Sequence, residues 1–187
     1  MATKPVTFPA VEPVSLAEAK AHLRIDHPDE DAHIGSLISA ARKYIEKQTQ
    51  RALATQTYRT TLDSFPTTSD IRLDIGPVIS ITSIKYDDID GLEQTLTADN
   101  YVLDNVNEPG WVIPIEAGWP ATVDAINAVR VDYVAGWEAG TFPPDLKFGI
   151  LMLVGHWYNN REAVSGDNMS EPPHSVHRII HNYRAFI

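Results

Sequence analysis

The sequence has seven histidines and no cysteine, so any metal or acid–base chemistry would fall to imidazoles and carboxylates. His174, His177 and His181 have helical spacing and could meet one ion. Pro172 and Pro173 directly precede them, no thiolate can help, and no carboxylate repeats nearby. They are therefore expected to be surface histidines, with no metal and no cofactor. His156 stands in an apolar helical stretch and is expected to be a hydrogen-bonded packing residue. The lack of cysteine excludes disulfides, thiolate sites and cysteine nucleophiles. No Gly-x-Ser-x-Gly turn offers a serine nucleophile, and the glycines are too scattered for a phosphate loop. Asp87-Asp88 and Asp29-Glu30-Asp31 lack the spacing of a calcium loop and read as solvated loops. Two carboxylates for glycosidic cleavage need only meet in space, so a carboxylate-based hydrolase stays open. Trp111, Trp119, Trp137 and Trp157 could line a carbohydrate- or protein-binding face, although dispersed aromatics more commonly fill a core or a subunit interface. No catalytic residue is assigned, and the chain is not expected to be an enzyme.

The densest local constellation is His156-Trp157-Tyr158-Asn159-Asn160-Arg161-Glu162. It joins an apolar helix to a polar end. Arg161 suits the negative end of the helix dipole and could form a forked salt bridge. Either a buried helix C-terminus or an inter-subunit contact would use Trp157, Tyr158, Arg161 and Glu162 in this way.

These residues must be positioned by a few elements. Ser15 and Glu18 form a capping box that opens a helix over residues 16–24. A turn at 26–29 leads to a second helix over 30–50. There Ile34, Leu37, Ile38, Ala41 and Ile45 make one buried stripe, while Arg42, Lys43, Glu46 and Lys47 mainly cover the wetter side. From Thr55 the period changes to two. Strands are expected near 56–65, 71–75, 78–86, 94–96, 101–103, 111–113 and 129–133. The alternation slips between Ile81 and Ile84, which suggests a bulge or burial on both faces. Asp90-Gly91 marks a hairpin with a longer loop. A helix follows from Pro144 to about Arg161. Its buried face is Leu146, Ile150, Leu153, Val154 and Trp157, and Phe148, Leu151, Met152 and Tyr158 widen the apolar arc. Such a helix should be central, or packed on neighbouring subunits.

The fold class is α+β: a small helical bundle with an antiparallel β insertion and a C-terminal arm. The parts are residues 1–55, two N-terminal helices; 56–140, the β insertion; 141–164, the long helix completing the bundle; and 165–187, a mobile loop and arm. In the arm Val176, Ile179, Ile180 and Tyr183 share one helical face with little chain of its own to cover it. Arg178 and Arg184 make it locally basic, suited to an acidic partner.

The formal net charge of -10 speaks against gripping duplex DNA, and the acidic excess is concentrated in the β region. No window reaches the roughly 18 apolar residues of a membrane span, and MATKPVTFPAVEP has no signal-peptide core.

Several segments together are familiar: PVSLAEAKAHLRID, DEDAHIGSLISAARKYIEKQTQRAL, TLDSFP, VRVDYVAGW and PPDLKFGILMLVGHWYNNREAV. From about Pro13 to about Val164 the chain resembles the head–tail connector family of tailed phages, also called adaptor or DNA-packaging proteins, in its longer, β-containing branch. The resemblance implies a structural protein of the virion neck, assembled in the host cytoplasm. It implies a homo-oligomeric ring of about a dozen subunits beneath the portal protein. Head-completion, stopper or tail proteins would be further partners, and double-stranded DNA would pass through without sequence-specific binding. No membrane partner, cofactor or catalytic residue is carried over.

Overall fold

The computed structural model describes residues 1–67, 70–115, 118–138, 140–161 and 174–185. The fold is α+β, with all strand pairs antiparallel. The chain divides into two compact units. One comprises Met1–Ala10 and Thr55–Trp137, the other Val11–Ala54 and Glu138–Phe186.

The first unit is built of strands β1 (Ala2–Pro5), β2 (Gln56–Leu62), β3 (Ile71–Leu73), β4 (Val78–Asp87), β5 (Glu93–Leu96), β6 (Tyr101–Asp104), β7 (Gly110–Pro114) and β8 (Val129–Ala135). They form a five-stranded sheet in the order β1-β2-β8-β4-β5 and a three-stranded sheet in the order β3-β7-β6. Alternation decides which side chains turn inward. Gln56, Tyr58 and Thr60 of β2 and Val129, Val131, Tyr133 and Ala135 of β8 are buried. Register sets Tyr58 opposite Tyr133, and their rings stack with centroids 5.9 Å apart. Two register shifts interrupt β4 against β8, at Val78/Ser80 and Ile81/Ser83, so the slipped alternation is a bulged strand. Gly110 gives Val78 room, because a Cβ there would lie 2.8 Å from Val78 Cγ2. Phe65 stacks on Trp119 at 4.8 Å and meets Tyr86 edge-on at 5.5 Å.

Periodicity gave no sign of β1. It is four residues long with an exposed burial pattern, and its partner supplies what its sequence lacks: β1 runs along β2, and Thr3 Oγ1 lies 2.8 Å from Thr60 Oγ1. Pro5 is tolerated because β1 is an edge strand.

The second unit holds helices α1 (Leu16–Leu23), α2 (Asp31–Thr49), α3 (Pro144–Asn159) and α4 (His174–Tyr183). The capping box forms as expected, with the Ser15 hydroxyl accepting from Glu18 N and the Glu18 carboxylate accepting from Ser15 N. α3 is central and touches α1, α2 and α4. Leu146, Gly149, Ile150, Leu153 and Val154 face that core, and Ile34, Ile38, Ala41 and Ile45 of α2 are buried in it. Among the described residues no helix is long and apolar enough to cross a membrane.

Arg42 corrects the expected division of α2 into wet and dry sides. It is 3% exposed, not part of a solvated face. Its Nε donates to Glu12 at 2.7 Å and its Nη1 to Glu46 at 2.7 Å. Glu12 also accepts from Ser39 Oγ at 2.6 Å, and Glu46 from the backbone of Leu53 at 2.9 Å. The guanidinium thus pins the chain preceding α1, and the turn following α2, to the middle of α2.

Candidate functional site

The constellation at the end of α3 is organised by α2. Trp157 is half-buried and meets Tyr44 edge-on, with centroids 6.1 Å apart at 88°. The Tyr158 hydroxyl donates to Glu30 Oε2, and the ring lies 6.3 Å from His33. Arg161 Nη2 donates to Glu30 Oε1 at 2.5 Å, and its guanidinium carbon stands 4.6 Å from the Tyr158 ring centroid. Glu30 occupies the N-cap position of α2, where a carboxylate also meets the positive end of the helix dipole. The Tyr158 hydroxyl, followed by Arg161, holds the Glu30 carboxyl below its usual range, while Glu30 pushes the Tyr158 phenol up. Of the residues expected here, Trp157, Tyr158 and Arg161 come together on their own chain's α2, and Glu162 lies outside the described residues. His156 is half-buried, with Asn160 Nδ2 3.5 Å from its Nδ1.

Glu30 and Tyr44 are the members that sequence reasoning missed. Glu30 belongs to an acidic run, Asp29-Glu30-Asp31, that reads as a solvated loop. Only its place at the start of a helix hinted at a second role.

A parallel clamp closes the other end of α3. Lys147 Nζ reaches Glu18 Oε1 at 2.5 Å. The Lys147 hydrogen bond, with those from the Ser15 backbone and side chain, lowers the Glu18 carboxyl to about 2. The capping residue of α1 therefore also ties α1 to α3.

α4 differs from the free arm that the sequence suggests. Val176 is fully buried and Ile180 is 6% exposed. Ile179 lies against Gly149 of α3, and Ala185 N donates to Thr49 O at 2.9 Å. The apolar face is thus covered by α2 and α3 of the same chain. Tyr183 is half-buried, and burial leads the causes that push its phenol up. The opposite side presents His174, His177, Arg178, His181 and Arg184 to solvent. Their side chains form no ion pair or hydrogen bond among the described residues.

The carboxyls of Glu18, Glu30, Asp87, Asp88, Glu93 and Asp104 are all lowered by hydrogen-bonding or cationic partners. A general acid needs the opposite shift. The four tryptophans make no exposed row, since each is at least half-buried.

The arrangement is one of ion-pair clamps between helices. A family model described as head completion protein matches residues 13–186. The chain belongs to the head completion protein family. No curated protein matches it in sequence. Among solved structures it is similar to a chain of the virion of a native gene transfer agent particle, with TM-score 0.83 and 25% identity, covering 100% of this chain and 97% of the other. It is also similar to chains of the neck of an empty gene transfer agent particle computed with C6 symmetry (TM-score 0.81) and of the neck of a native one computed with C12 symmetry (TM-score 0.77). Both are 24% identical and cover 100% of this chain and 97% of theirs. These last two establish the fold.

Proposed function

We propose that this protein is a non-enzymatic head–tail connector subunit of a phage-like particle. It assembles into a ring beneath the portal protein, extends the DNA channel and joins head to tail through stopper or tail proteins. The observation that carries this is the match of the whole chain to proteins of a particle neck. The C6 and C12 symmetries with which those necks were computed support repeated copies around an axis. The chain's acidic balance supports a conduit that repels phosphates and lets the duplex slide.

The test is loss of the gene product from its particle. Heads should fill with DNA yet fail to retain it or to join tails, and added purified protein should restore joining. Sedimentation should also show the purified protein on portal rings. Normal infectious particles without the protein would overturn the proposal.

A further inference from the structure

Two surfaces of the chain have matching chemistry. The first is the outer side of α4. Its inner side is sealed against α2 and α3, so any partner meets His174, His177, Arg178, His181 and Arg184, with no carboxylate among the helix's own residues. The second is the turn between β4 and β5. Asp88 fixes it: its Oδ1 accepts from Asp90 N and Leu92 N, each at 3.0 Å, and its Oδ2 accepts from Gln94 at 2.8 Å. Gly91, at φ 77°, closes the turn. This hydrogen-bonded tip exposes 69% of Ile89 and 61% of Leu92, and the Asp90 carboxylate beside them has no ion-pair partner among the described residues.

Two aliphatic side chains held in water on a fixed turn, next to an unpaired carboxylate, suit a protein surface that offers cations and aliphatic stems. The outer side of α4 is such a surface. We infer that, in the ring proposed above, the cationic side of α4 receives the β4–β5 turn of a second copy of this chain. Two different patches of one chain then mate head-to-tail, which is the contact geometry that closes rings. Nucleic acid is the less suitable occupant of α4. Only two arginines stand there, within a chain of net charge -10, and phosphates would leave Ile89 and Leu92 uncovered.

A charge swap tests this. Self-association of the purified chain, and of the chain loaded on portal rings, is measured by sedimentation at low and high salt for wild type, R178E/R184E, D90R and the combined triple variant. All three sites are exposed, so thermal melts should stay near wild type and certify folding. Each reversal should weaken copy–copy association by about tenfold or more at low salt, and the triple variant should recover most of it. Reversals without effect, or a triple variant no better than its parents, would overturn the inference while wild-type rings leave the connector proposal standing. Wild-type protein that reaches portal rings only as isolated single copies would overturn both. Loss of a short duplex DNA probe from R178E/R184E, with unchanged copy–copy association, would assign α4 to nucleic acid and overturn the inference alone.

Discussion

At the scale of residues, one buried cation, Arg42, ties the helical unit together. Arg42 is buried with Glu12 and Glu46 arranged around its guanidinium. Removing Arg42 unpairs two carboxylates that keep some access to water, at a cost of about 2–3 kcal/mol. Arg42→Ala should therefore lower the stability of the helical unit by that order in urea melts, and a loss below about 1 kcal/mol would contradict the burial. The neighbouring sequence does not disclose this, because Arg42, Lys43 and Lys47 share the composition of a solvated helix face. Glu12, the partner that makes Arg42 inward, lies 30 residues away. Trp157 is a milder case. Its half-burial and edge-on contact with Tyr44 lead to a loss of about 2 kcal/mol for Trp157→Ala, less than a fully buried tryptophan would give. A double-mutant cycle with Tyr44→Ala should show coupling of about 0.5–1.5 kcal/mol. Additive losses would mean that the two rings do not interact.

At the scale of elements, α4 is part of the helical core. Ile180→Ala should cost about 2–4 kcal/mol, and deleting residues 171–187 should lower the melting temperature clearly. An unchanged melt would restore the free arm. The sequence showed the apolar face of α4 correctly through its period of Val176, Ile179, Ile180 and Tyr183. What covers that face is set by tertiary packing, which no local pattern records. The bulge in β4 was legible, since a slip in alternation is itself a local signal. β1 was not, because an exposed edge strand needs no alternating core face. Where β4 and β7 approach, Gly110→Ala would drive a methyl into Val78 and should cost about 1–3 kcal/mol. Adding Val78→Ala should return part of that loss, and a double variant less stable than either single one would contradict the close approach. The α1–α3 clamp makes an acid-side prediction. The Glu18 carboxyl sits at about 2 when folded, below its ordinary value of 4.5. A depressed carboxyl stabilises the fold above its unfolded pKa, and that stability is lost as pH falls. The difference in stability between wild type and Glu18→Gln should therefore be full above pH 4.5 and shrink from there toward about 2. A difference that grows on acidification would contradict the clamp.

At the scale of the whole molecule, the chain belongs to the head completion protein family. Its capped first helix and the polar end of its long helix were enough to suggest the family. The geometry adds how those ends are held: Glu18 by Lys147, and Tyr158 and Arg161 by Glu30. A helical unit clamped in this way would present the same surface on every copy of the proposed ring. The central claim is that the protein is a ring-forming subunit of the neck. It is tested most directly by electron cryo-microscopy of the particle neck with and without this protein. The account predicts a ring of about a dozen copies between portal and tail, each fitted by both units of the chain, and its disappearance when the protein is absent. A neck complete without the protein, or with no density that accepts its fold, would contradict it.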